Sequence, residues 1–263
     1  MKTNRKNKPL LVSAVRVMTR DYGKFFISFF GVMTALYLIG FIVNLSGGNM
    51  KIGGIEGVYF IACFVAGLAS FKEDFFFMAQ NQVPKSTMTK AFIIEGFLFG
   101  IVTSFAVNVF AHVMAWISST INHEIPRFID LIPRVDDNGG LSGFGRNFVI
   151  ILSLYVAIYF IGLMLGTINY RLNWLGRVIF WVPFGFLMLN GFIGTLQYYL
   201  DNIDPEELEV LSVALAKPFI NAIDWLMQNL GNFIITCAAV TVFCIVVGAL
   251  TFRGAEVKYS KAK

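Results

Sequence analysis

Few residues in this chain are of a type that does chemistry, and they stand far apart. Glu95 is the one acid well inside an apolar run, AFIIEGFLFG. An ionisable side chain there is expensive and marks a functional site by default, in gating or substrate contact. Glu95 also lies about one turn past Lys90. A structural pairing with Lys90 or Arg171 near the inner membrane face is therefore the plainer reading. Further along the same run come Asn108 and His112, four apart and so on one helical face. A polar stripe of this kind faces protein or a cavity, not lipid. His112 is expected to hydrogen-bond between helices rather than to carry protons. The only other histidine, His123, falls in a polar stretch, so the two offer no converging catalytic pair. Cys63, Cys237 and Cys244 all sit in apolar runs without metal-ligand spacing, so no metal is expected. There is no G-x-x-x-x-G-K-[ST], no H-E-x-x-H and no G-x-S-x-G. The chain is thus expected to be a non-catalytic subunit. An intramembrane enzyme using Glu95 and His112 is the minority reading.

The stretch 71–90, FKEDFFFMAQNQVPKSTMTK, interrupts two apolar runs with charge. It sets Phe75, Phe76 and Phe77 beside Lys72, Glu73 and Asp74. It closes on Pro84, Lys85, Ser86 and Thr87, a helix stop followed by a helix start. The spacing predicts a short helix of its own, with Phe75, Phe76 and Met78 as apolar anchors for a partner and the charges as a rim. The alternative is that the aromatics anchor the second span in the membrane interface.

These residues must be positioned by membrane helices. Of 263 residues 57% are hydrophobic and 14% charged, against about 25% charged in a soluble domain. Mean hydropathy is +0.69. An all-α polytopic membrane protein follows, read as one domain over 1–263. The expected spans are 25–45, 52–71, 91–117, 148–170, 178–200 and 232–252. Residues 10–23 place Leu10, Leu11, Ala14, Val15 and Met18 near one face and Arg16 and Arg20 on the other. They read either as a helix lying in the inner interface or as an amphipathic extension of the first span. Pro183 is expected to kink the fifth span. Residues 201–230 open on Asp204-Pro205, and their apolar residues recur at three- and four-residue steps. They read as an outer amphipathic helical hairpin. No cleavable signal peptide is expected at the basic N-terminus.

Six spans put both termini on one side, and charge says which. The N-terminal segment, the 71–90 stretch, the 171–177 turn and the C-terminal tail hold 16 of the 21 Lys and Arg residues. The opposite segments hold Lys51, Arg127, Arg134, Arg146 and Lys217 and 11 of the 16 acids. Positive residues mark the cytoplasm. Both termini and the 71–90 stretch are therefore expected there, in a multi-pass cell-membrane protein. The basic tails suit anionic headgroups. Nothing in the charge pattern points to nucleic acid.

With these features in place, the chain resembles a permease subunit of ATP-binding-cassette transporters of the export-type, type-two class, in its Gram-positive form. The resemblance runs over nearly the full length, from an interfacial helix through six spans to the outer hairpin. Its best-matching residues are Phe71-Lys72-Glu73-Asp74, then Met78-Ala79-Gln80-Asn81, then Val83-Pro84-Lys85-Ser86-Thr87. Gln82 stands where glycine is frequent, and Pro84 where serine is frequent. A second echo runs from Tyr159-Phe160-Ile161-Gly162 to Tyr170-Arg171-Leu172. The resemblance implies that Phe71, Lys72, Glu73, Asp74, Phe75, Phe76, Met78, Gln80 and Asn81 form a coupling helix seated in a separate ATPase subunit. That subunit would bind ATP and Mg, and this chain no cofactor. It also implies a second permease, identical or a sister, with the substrate path between the two. An apolar or amphipathic cargo such as a peptide would suit the Phe- and Met-rich spans. The alternative is a non-transporting scaffold or sensor that docks a cytosolic partner through the same stretch.

Overall fold

A computed structural model describes residues 10–45, 55–119, 140–186 and, with breaks at 223–224 and 227, 221–253. Residues 120–139, most of the expected hairpin and the second half of the expected fifth span lie outside the described residues. So do both tails.

Among the described residues the chain is all-helical, with no strand. The helices are α1 (Leu10–Met18), α2 (Tyr22–Leu45), α3 (Ile55–Gln80), α4 (Lys85–Ser119), α5 (Gly140–Arg171), α6 (Trp174–Phe186) and α7 (Leu230–Arg253). Three stretches are long and apolar enough to cross a membrane: Lys85–Val113 in α4, Gly143–Arg171 in α5 and Leu230–Phe252 in α7. They mark a membrane-embedded protein. α4 is 35 residues long, about 52 Å at 1.5 Å per residue. It outruns a hydrocarbon core of about 30 Å and must tilt or project.

α5 is the central helix and packs against α3, α4 and α7. Small residues make this possible. A Cβ built on Gly67 of α3 would stand 2.1 Å from the Tyr159 carbonyl oxygen, and one on Gly162 of α5 would stand 2.3 Å from that of Phe64. The two backbones therefore touch directly, as small-residue faces permit in membrane helices. Gly96 and Gly100 of α4 similarly admit Tyr159, Phe160 and Val156 of α5. α2 is joined to the bundle by rings instead. Phe26 stacks on Phe99 at 5.7 Å, and Phe29 and Phe30 close on Tyr59 at 4.8 and 5.0 Å.

α1 buries Ala14 and Met18, with Leu11 and Val15 packed alongside, against α3 and α4. Leu10, expected on that face, is exposed. The chain passes from α1 through a tightened 3-10 turn, Thr19–Asp21, into α2 with right-handed helical backbone at both junctions. α1 thus runs on into α2 and rests on protein through its buried face. α6 remains helical through Pro183. It meets α5 through the Trp181 indole, which donates to Asn169 Oδ1 at 3.2 Å.

Candidate functional site

The 71–90 stretch is not a helix of its own. α3 runs unbroken from Ile55 to Gln80, so Phe71 through Gln80 are its last turns. The cause is a strip of apolar residues at helical spacing. Phe71, Phe75 and Met78 lie on one face and are buried at 1%, 1% and 2% exposure. Phe71 stacks on Phe75 at 5.4 Å and on Phe92 of α4 at 5.6 Å. Both meet Phe252 of α7, at 5.7 and 5.5 Å, and Phe75 meets Tyr170 of α5 at 5.4 Å. Phe76 is half-buried, 5.8 Å from Tyr170. The expected partner anchors Phe75 and Met78 are thus internal: Tyr170 and Phe252 lie against Phe75, and both anchors belong to one buried cluster with Phe92 and Phe252. What the stretch leaves outside is Lys72, Phe77, Gln80, Asn81, Gln82, Pro84, Lys85, Ser86 and Lys90. Asp74 is half-buried, and the side chain of Glu73 lies outside the described residues.

The turn that follows is tightly specified. The Val83 amide donates to the Met78 carbonyl at 3.0 Å, and the Gln82 amide to that of Ala79 at 3.1 Å. Gln82 has a φ of 53°. This is the Schellman closure, with a left-handed residue at the position glycine favours. Val83 packs back into the Phe71–Met78 cluster, as that closure requires. Pro84 then accepts from the Thr87 and Met88 amides, starting α4. The departure of Gln82 from glycine thus falls on the one non-glycine residue with positive φ among the described residues.

Above this turn is a second cluster. Glu95 is fully buried, and the Tyr22 hydroxyl of α2 donates to its Oε1. Its Oε2 has no hydrogen-bond partner. The Tyr159 hydroxyl of α5 acts on the same carboxyl and donates to Ser70 Oγ of α3 at 3.3 Å. Neither Lys90 nor Arg171 is the partner expected for Glu95. Lys90 is exposed, and Arg171 donates to the Thr251 carbonyl at 3.2 Å. Tyr22 takes that place because α2 starts beside the middle of α4, with its ring 5.0 Å from Phe99.

Glu95 also forms part of the wall of a cavity of about 560 Å³ between α1, the 3-10 turn, α2, α3 and α4. Ser70, Asp74, Arg20 and Lys24 contribute polar groups, and Val65, Ala66 and Phe99 apolar wall.

Asn108 and His112 form a separate site toward the other end of α4. The buried Asn147 of α5 donates through Nδ2 to Asn108 Oδ1 at 2.8 Å, and Asn108 Nδ2 donates to the Phe144 carbonyl at 3.1 Å. Among the described residues His112 bonds within its own helix and not between helices as expected. Its Nδ1 lies 2.8 Å from the carbonyl of Asn108, one turn back, so that nitrogen carries the proton. Its ring meets Phe144 edge-on at 4.9 Å. Glu95 and His112 are seventeen residues apart on one helix, about 26 Å along its axis, and serve different neighbours. Tyr22, Ser70, Tyr159 and Asn147 were not anticipated as site residues. Tyr and Ser are ordinary in apolar runs, and only Asn147, near the start of a span, carries a visible polar signal.

Among the described residues no group of three or more His, Cys, Asp or Glu is placed to hold a metal. Compared with protein-family models, with curated proteins and with solved structures, the chain matches none.

Proposed function

We propose that the chain is the permease subunit of an ATP-binding-cassette exporter, driven by a separate ATPase that docks on the α3–α4 turn. One observation carries the reading. The turn at 80–86 is exposed and polar, yet it is locked by a Schellman closure to a ring cluster shared by α3, α4, α5 and α7. A push on that tip is transmitted to four helices at once, as a subunit without a phosphate-binding loop requires. The loose sequence resemblance in the same stretch and the concentration of Lys and Arg on that side support it. In this reading the described helices belong to a six-span permease with cytosolic termini. It pairs with a second permease and moves an apolar or amphipathic cargo.

Of the expected coupling residues this reading keeps the exposed Gln80 and Asn81, adds the exposed Lys85 and Ser86, and drops the buried Phe71, Phe75 and Met78 from the docking contact. The test is coexpression with an ATP-binding-cassette ATPase encoded beside the gene. Copurification and cargo-stimulated ATP hydrolysis in proteoliposomes are expected. The doubly substituted Gln80→Trp, Lys85→Glu chain should lose both while keeping its thermal midpoint. An intact complex with unchanged turnover in that variant overturns docking at the turn. A complex that forms but moves no cargo favours the scaffold.

A further inference from the structure

Glu95 sits where four helices meet, and the hydroxyl hydrogens around it are all committed. It stands on α4, fully buried, and the Tyr22 hydroxyl of α2 donates to its Oε1. Tyr159 of α5 reaches the same carboxyl with its own hydroxyl. A hydroxyl has one hydrogen to give. That of Ser70 on α3 goes to the Ala66 carbonyl at 2.8 Å. Ser70 Oγ is therefore left to accept from Tyr159, and it does so at 3.3 Å. The Tyr159 hydrogen is thus spent on Ser70, and that of Tyr22 on Oε1. Neither remains for Glu95 Oε2, which is buried without a hydrogen-bond partner. No cation makes up for the missing donor. Among the described residues the charged side chain that acts on Glu95 is Asp74 of α3, another acid. Arg20 of the 3-10 turn and Lys24 of α2 line the neighbouring cavity, and neither forms an ion pair with Glu95. From α1 that cavity is lined by Val17 and Met18, and among the described residues α7 brings no titratable group to Glu95. Lys90, on the same helix as Glu95, is exposed. A carboxylate buried with neither a second donor nor a cation is among the costliest groups a protein can hold.

We propose that Glu95 is a proton-binding site, held as the neutral acid with its proton on Oε2 and donated to the Tyr159 oxygen. A phenolic oxygen can accept while its own hydrogen is donated elsewhere. The hydrogens then run in one direction, from Glu95 to Tyr159, to Ser70 and to the Ala66 carbonyl, with Tyr22 donating to Oε1 at the other end. Both carboxyl oxygens have partners, and α2, α4, α5 and α3 are linked in that order. The joint between α2 and α4 is thereby neutral. Parting it costs one hydrogen bond, whereas parting a charged joint strands a buried carboxylate. The ionised alternative needs the Tyr159 hydrogen turned from Ser70 to Oε2, which gives up the link to α3.

The experiment is infrared spectroscopy at neutral pH on the full chain, without any ATPase, in a maltoside detergent that has no carbonyl group of its own. The carbonyl stretch of a protonated carboxylic acid stands apart from the amide and carboxylate bands. The unsubstituted chain is expected to show it, with a downward shift in heavy water. Glu95→Gln keeps an acceptor for Tyr22 and a donor for Tyr159, and should lack the band. Tyr22→Phe removes the donor from the Oε1 carbonyl and should move the band to higher frequency. That shift assigns the band whether or not Glu95→Gln folds. Absence of the band from the unsubstituted chain overturns the proposal. So does a band that survives in Glu95→Gln, or one that Tyr22→Phe leaves in place. Because no ATPase is present, failure here leaves the transporter proposal untouched, and failure of ATPase docking leaves the proton site standing.

Discussion

Gln82 shows how much one residue can carry. With φ at 53° it occupies the left-handed region, which costs a residue with a side chain about 1–2 kcal/mol relative to its right-handed form. The turn is held there by the Val83 and Gln82 amide bonds and by Val83 packing on the Met78 cluster. Gln82→Gly is expected to raise stability by about 1 kcal/mol, read as a higher thermal midpoint in detergent, and Gln82→Val to lower it. A lowered midpoint for the glycine variant would contradict the left-handed turn. Asn108 and Asn147 make a second test at this scale. Their amide bond spans α4 and α5, and such bonds in membrane proteins average about 0.6 kcal/mol of coupling, with a maximum near 1.7. Asn108→Leu should cost about 1 kcal/mol, because it leaves a buried amide of Asn147 unpaired. A double-mutant cycle with Asn147→Leu should return a favourable coupling. His112→Phe should cost little, since among the described residues His112 bonds its own helix.

At the scale of elements, the α3–α5 contact governs the bundle. It depends on Gly67 and Gly162, each facing the partner backbone with no room for a methyl group. Gly67→Val or Gly162→Val must push the helices apart, with a cost of about 3 kcal/mol or more. Loss of folded protein on size-exclusion chromatography is the expected readout. Gly31→Ala is the control, because a Cβ there meets nothing within 4 Å, and it should fold normally. These glycines were legible in the sequence only as an abundance of the residue. Gly162 and Gly166 lie four apart, as do Gly96 and Gly100, which is the pattern of close helix approach. The spacing does not say which helix each pair faces.

At the scale of the whole molecule, the distribution of Lys and Arg makes a prediction about sidedness. Cys63, Cys237 and Cys244 are buried, so a single exposed cysteine can be labelled selectively. Ser86→Cys is expected to react with a membrane-impermeant maleimide in inverted vesicles and not in intact cells. Labelling in intact cells would reverse the orientation, and with it the docking of a cytosolic ATPase.

The sequence by itself determined the class of this protein. Apolar runs too long and too numerous for a soluble core require membrane helices, whatever they pack against. It also placed the break between α3 and α4 at Pro84, since proline cannot continue the preceding helix. It marked Glu95, because a lone acid in an apolar run stands out without any partner in view. The sequence could not say what Glu95 would meet. Tyr22, Ser70 and Tyr159 come from three helices, and their convergence depends on the α3–α5 approach and on how α2 leans on Phe99. Nor could it sort the rings of 71–78 into covered and exposed. Three adjacent aromatics read equally as docking anchors or as core. Only the positions of Tyr170 and Phe252 decided that Phe75 is core, while Phe77 lines the mouth of a cavity. Local pattern fixes which residues are helical, whereas burial of one face depends on residues that lie far away in the chain and meet it only after the helices pack.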